Sequence, residues 1–178
     1  MSNVKVLISG EAASGKTTLI KSLENALLFS HDGKKPVVKI PHVYIRSFTS
    51  IDELLGVFNE KIEAYNAKFG SYPETIVIDS VSRVYDTIAN YCNEKYSGFT
   101  IYSEMDKAIK QFNAYIEDTL IASGMNVILI SHALYDSETS QYNLVGKGSY
   151  AKLGGALSVV EEAIFLEKKA NKRIVHFR

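Results

Sequence analysis

Residues 4 to 18, Val-Lys-Val-Leu-Ile-Ser-Gly-Glu-Ala-Ala-Ser-Gly-Lys-Thr-Thr, run an apolar stretch straight into a loop framed by two glycines and closed by Lys16 and Thr17. The spacing of Gly10, Gly15, Lys16 and Thr17 fits G-x-x-x-x-G-K-[ST], a phosphate-binding loop that has meaning only between a strand and a helix. Both flanks are present: Val4 to Ser9 reads as a buried strand and Thr18 to Leu23 as a helix. Glycine lets the backbone turn so that its N–H groups point inward, where they and the helix start can cradle phosphate. The loop Gly10, Glu11, Ala12, Ala13, Ser14, Gly15, Lys16, Thr17 and Thr18 is therefore expected to hold a nucleotide. Lys16 should reach the β- and γ-phosphates, and the Thr17 hydroxyl should bind Mg²⁺. The Glu11 side chain is expected to face away from phosphate. A glycine-rich turn matching by chance would have no reason to sit between strand and helix.

The chain has 178 residues, a length that fits one domain with a substantial core, and no shift in composition suggests a second. Lys plus Arg and Asp plus Glu number 20 each, so any basic binding surface must be local. The single cysteine, Cys92, allows no internal disulfide and no cysteine-based zinc site, and is expected as a small buried apolar residue in a reducing cytosol. No apolar stretch reaches the ~18 residues of a membrane span, so a soluble cytoplasmic protein with no membrane partner is expected. The sequence stops at Arg178 just after a strand pattern, which leaves open a longer natural chain.

Along the chain, Ala26 to Ser30 is an apolar strand pattern followed by His31-Asp32-Gly33, and Val37 to Ile40 and Val43 to Ile45 are shorter β-like pieces separated by Pro41. Ser50 with Glu53 forms a capping-box pattern, and Leu54, Phe58, Ile62 and Tyr65 continue at helical spacing to about Phe69. Thr75 to Asp79 is a β-branched run suited to a parallel strand covered on both faces. Helices are expected over Val81 to about Glu94 and Ser103 to Ser123, with Lys95 to Tyr102 as an interruption and Gly124 as a cap. Asn126 to His132 is a further strand. From 133 to 158 the chain is polar and rich in Gly, Ser and Tyr, a long functional loop. Val159 to Glu167 and Arg173 to Phe177 form a closing β-hairpin. Alternating strands and helices give an α/β class with a mostly parallel sheet.

In such sheets ligands bind beyond the carboxyl ends of the strands, where the P-loop, Asp32, Asp79, and Ser131 with His132 converge. Asp79 is the Walker B candidate, a carboxylate that orients Mg²⁺ opposite Thr17; otherwise it caps the next helix. Asp32 is the candidate general base that positions the attacking water, or else part of an Asp-Gly turn. His132 ends a strand expected beside the P-loop strand and could sense the γ-phosphate, or simply be a satisfied polar residue. His31, His42 and His176 have no metal-ligand spacing. Tyr142, Lys147, Tyr150 and Lys152 interleave aromatics and lysines as sequence-tolerant single-strand binding does, although a surface loop gives the same composition. Either lysine could instead serve as a finger in a neighbouring subunit's site.

Gly10 to Thr18, Phe29 to Gly33, Ile76 to Ser80 and Val127 to His132 resemble the RecA-type ATPase core. More narrowly they resemble the small single-domain bacteriophage P-loop proteins grouped with RecA-core single-strand annealing proteins and phage AAA/RecA-like ATP-binding proteins. The stretch from Gly146 through Leu166 resembles that group too. The resemblance implies a three-layer α/β/α fold, ATP and Mg²⁺ as ligands, slow hydrolysis, single-stranded DNA as partner, and self-assembly into a ring or filament. It also implies a single-strand-binding protein as a possible companion and, for a phage protein, the bacterial host cytoplasm. By position Lys16 and Thr17 hold phosphate and metal, Asp79 is Walker B, Asp32 stands in the catalytic acid place and His132 in the sensor place. RecA itself has a glutamate and flanking domains where this chain has a shorter acid and none. Two other classes compete: a small-molecule or nucleoside kinase, for which Arg46, Arg83, Arg173 and Arg178 look too scattered to form a lid, and a nucleotide-gated adaptor or loader for a replication or packaging machine. In the adaptor, Tyr96, Phe99 and Tyr102 would meet protein; packing under a loop is the plainer account of them.

Overall fold

The computed structural model describes residues 3–31, 33, 38–138, 141–144, 155–170 and 172–177. Asp32, Lys147, Tyr150 and Lys152 lie outside the described residues. The strands are β1 (Lys5–Gly10), β2 (Ala26–Ser30), β3 (His42–Tyr44), β4 (Thr75–Asp79), β5 (Asn126–Asp136), β6 (Gln141–Leu144), β7 (Glu162–Lys169) and β8 (Lys172–Phe177). The helices are α1 (Lys16–Leu19), α2 (Ile51–Phe69), α3 (Val81–Lys95) and α4 (Thr100–Tyr115). The unbroken apolar runs become the sheet centre, in the order β3-β2-β4-β5-β1-β7-β8, parallel except for β8 against β7 and a side pairing of β6 with β5. This is the expected α/β class with a C-terminal hairpin.

Because side chains alternate across a strand, each central strand feeds two apolar layers. Leu7, Leu27, Phe29, Ile76, Ile78, Val127 and Leu129 pack under α2, α3 and α4. Their neighbours Ile8, Leu28, Val77 and Ile130 face Ile20, Val38 and Ile40. The second layer is thinner, since α1 spans Lys16–Leu19 and gives way to a 3₁₀ turn at Ile20–Ser22 where a helix to Leu23 was expected. Aromatic rings fill the thicker layer, with Phe29 stacked on Phe58 at 4.1 Å and Phe112 edge-on to Phe58 and Tyr85. Cys92 is buried there as a small apolar residue.

Local chemistry sets the helix limits. The Ser50 hydroxyl accepts the Glu53 N–H, a cap of the kind that contributes about 1 kcal/mol, and Gly70 ends α2 at φ 77°. The Glu53 carboxylate reaches back to the N–H and hydroxyl of Thr49, one residue before the cap; these bonds hold it below its ordinary carboxylate range. Helix α4 begins at Thr100, earlier than expected, and ends in a π-helical turn over Ile116–Ile121.

The expected long loop is corrected at both ends. Strand β5 continues past His132 to Asp136 and turns back through β6, with Tyr135 opposite Tyr142, while Gly155–Val159 is a 3₁₀ turn. The register explains the extension: Ala133 to Asp136 lie above the last residue of β1 and find their partner in their own hairpin.

Candidate functional site

Strand β5 lies between β1 and β4, so the P-loop and Asp79 face each other across the end of one intervening strand, and Gly10 stands in register with His132. The Thr17 hydroxyl donates to Asp79 Oδ2 at 2.7 Å. The N-cap position of α3 belongs to Ser80, which removes capping as the reason for Asp79; the Asp79–Ser80 peptide bond is cis. Lys16 is 6% exposed, and its ammonium donates to the carbonyls of Gly10 at 2.8 Å and Glu11 at 2.7 Å.

The loop is held in a shape that glycine alone tolerates at two points. Gly10 has φ +152°, and a Cβ there would lie 2.4 Å from the Leu166 carbonyl oxygen of β7. Gly15 has φ +102° at the N-cap of α1. Ala13, with φ 61°, also takes a left-handed conformation that an L-residue adopts at some cost, strain of the kind that collects at functional loops. Gly10→Ala combines a forbidden φ with a clash against backbone on a central strand. It is expected to cost roughly 3 kcal/mol, or a fall of roughly 6 to 12 °C in thermal midpoint. A melting curve within about 2 °C of the natural protein would contradict that account.

The polar atoms at this end suit a phosphate and a hard cation. Ser14 Oγ is fully buried with no hydrogen-bond partner among the described residues, at the base of the loop and within 2.9 Å of where a Gly10 Cβ would sit. A hydroxyl paired with a carboxylate, as in Thr17 and Asp79, is the oxygen donor set that Mg²⁺ takes from a protein when phosphate and water supply the rest.

Around them lie Ser80, Ser82, Ser131 and His132. The His132 backbone N–H donates to Ser82 Oγ at 3.2 Å, and the Ser82 hydroxyl donates to Ser80 Oγ at 3.3 Å. His132 thus stands beside the P-loop strand as expected. His31 follows β2 next to Asp79: its N–H donates to the Asp79 carbonyl at 2.5 Å, and its imidazole lies edge-on to Phe48. Burial pushes the His31 pKa down to about 4, so the ring is neutral over the physiological range. Asp32, the expected general base, is the next residue and lies outside the described residues.

Two placements differ from expectation. Tyr142 sits on a strand, its ring 5.2 Å from that of Tyr135 and 4.7 Å from that of Phe165. Its hydroxyl pKa is raised, first by burial and then by the carboxylates of Glu11 and Glu167. Arg173, counted above among scattered arginines, lies on the loop: its Nε donates to the Ser14 carbonyl at 3.2 Å. No spacing rule connects residues 159 positions apart; only the β7–β8 pairing brings them together.

A glycine-framed loop beside a strand-end carboxylate, Asp79, at the carboxyl end of a parallel sheet is the arrangement of a P-loop nucleotide-binding domain. The chain matches the AAA domain family over residues 2–178 and belongs to that family. It is thus of the AAA/P-loop ATPase-like class, whose members bind nucleotide. A comparison with curated proteins finds no match. Among the described residues, no helix is long and apolar enough to cross a membrane.

Proposed function

We propose that the protein is a RecA-like ATPase of the small single-domain bacteriophage type, binding ATP with Mg²⁺ and acting on single-stranded DNA in recombination, annealing or replication. The observation that carries the nucleotide part is the 2.7 Å bond between Thr17 and Asp79 beneath the loop that Lys16 closes. In this reading Gly10 to Thr18 wrap the phosphates, Lys16 leaves its loop carbonyls for phosphate oxygens, and Thr17 and Asp79 hold Mg²⁺. The bound ion would neutralise charge that builds on the phosphates during hydrolysis. Asp32 or a water beside it takes the proton of the attacking water, and His132, one strand over from Gly10, carries the change at the γ-phosphate into the β5–β6 hairpin.

The DNA part is supported by where that hairpin lies. Tyr142 lies opposite Tyr135 on the hairpin that prolongs β5 beyond its pairing with Gly10, so a DNA strand stacked on these rings would lie on the continuation of the strand beside the P-loop. Lys147, Tyr150 and Lys152 continue the same segment. Assembly into a ring or filament, with a single-strand-binding protein as companion, completes the proposal.

The test is ATP turnover with Mg²⁺, alone and with single-stranded DNA, followed by particle size under the same conditions. Turnover stimulated severalfold with assembly on DNA is the expected result. Turnover indifferent to DNA in a protein that stays monomeric would overturn the DNA reading and leave the nucleotide one. One observation favours the adaptor reading as second: Tyr96 packs partly against the core, but Phe99 is 93% exposed and Tyr102 59% exposed, which packing under a loop does not explain.

A further inference from the structure

Within Gly10 to Thr18 the formal charges of Lys16 and Glu11 sum to zero, so Lys16 is the one cation that the loop itself supplies. The closing hairpin changes that sum. From β8 the Arg173 side chain crosses to the loop, where Nε donates to the Ser14 carbonyl at 3.2 Å. Its Nε lies 3.0 Å, its Cδ 3.3 Å and its Cζ 3.6 Å from the position a Cβ would take on Gly15. The bare glycine therefore meets two demands at once: a φ of +102° and room for a guanidinium against the backbone that opens α1.

We infer that Arg173 is a nucleotide-binding residue, delivered in cis by the C-terminal hairpin, that adds a second positive charge to the phosphate site next to Lys16. The inference rests on the nucleotide reading above and extends it to a residue outside every motif. A guanidinium is planar, permanently charged and rich in donors, so a bond through Nε fixes the plane in which the remaining N–H groups lie. Lys16 and Arg173 both donate to loop carbonyls, on Gly10, Glu11 and Ser14. Those carbonyls hold the two cations at the loop, ready to meet phosphate oxygens.

The test measures equilibrium affinity for ADP and for a non-hydrolysable ATP analogue in the natural protein, Arg173→Ala and Arg173→Lys, with thermal unfolding of each unliganded protein. Arg173→Ala is expected to weaken ADP binding roughly ten- to hundredfold, the loss of a hydrogen bond to a charged group, while its unliganded midpoint stays within about 2 °C. Arg173→Lys should recover part of the affinity, since it keeps the charge and loses the fork. Raising the salt should narrow the gap between the natural protein and Arg173→Ala. Equal affinity in the natural protein and Arg173→Ala overturns the inference and leaves the nucleotide reading standing. A loss of affinity matched by a large fall in the unliganded midpoint, and insensitive to salt, also overturns it, because the arginine would then be only a brace. No ADP binding by the natural protein itself would remove the reading on which the inference stands.

Discussion

Lys16→Ala is expected to lower affinity for ATP at least about a hundredfold and to bring turnover to background, as two charge-assisted hydrogen bonds of roughly 1.5–3 kcal/mol each would require. The side chain is almost fully buried, and its ammonium lies between two carbonyls of the loop it would help to close on phosphate. Alanine removes the charge and leaves both carbonyls to water, so the effect should appear in nucleotide titration before it appears in the rate. A titration of the variant, with its unliganded melting curve as control, checks this. Affinity and rate equal to those of the natural protein would remove the phosphate-binding reading altogether.

Asp79→Asn is expected to separate metal from nucleotide. The amide oxygen can still accept from the Thr17 hydroxyl, so the local structure should survive, but the negative charge that would hold a divalent cation is gone. Binding of nucleotide without Mg²⁺ should stay within about twofold of the natural protein, the strengthening on adding Mg²⁺ should vanish, and turnover should fall roughly a hundredfold or more. Titrations with and without Mg²⁺ decide it. If the variant keeps a normal Mg²⁺ response, Asp79 serves only as an acceptor for Thr17.

What could be read from the sequence was whatever depends on near neighbours. The P-loop announces itself because a tight turn, a cation and a hydroxyl must lie within a few residues of one another. Helix α2 was legible at both ends because Ser50, Glu53 and Gly70 act on backbone groups within one turn. The strand that ends at Asp79 followed from its β-branched run. Harder to see were features fixed by pairing between distant segments. The extension of β5 to Asp136 depends on a partner strand at Gln141–Leu144, and Ala133 to Asp136 carry no pattern that calls for it. Arg173 looked like one scattered arginine until the register of β7 with β8 set it over Ser14. The early end of α1 was not legible either, because Ile20 is buried against the sheet as well from the 3₁₀ turn as it would be from a longer helix.

The place of β1 in the sheet has a consequence for the birth of the molecule on the ribosome. The strand that carries the P-loop emerges first, yet its neighbours on the two sides are β5 and β7, which follow more than 115 and more than 150 residues later. Gly10 acquires the backbone oxygen that confines it only when Leu166 has been made. Until then the earliest segment translated must wait without its hydrogen-bonding edges, and such long-range closure is slow. The strand at the centre of the site therefore gains its second sheet neighbour only when nearly the whole chain has been made, so the end of the sheet where Gly10 lies is closed last by the segment translated last.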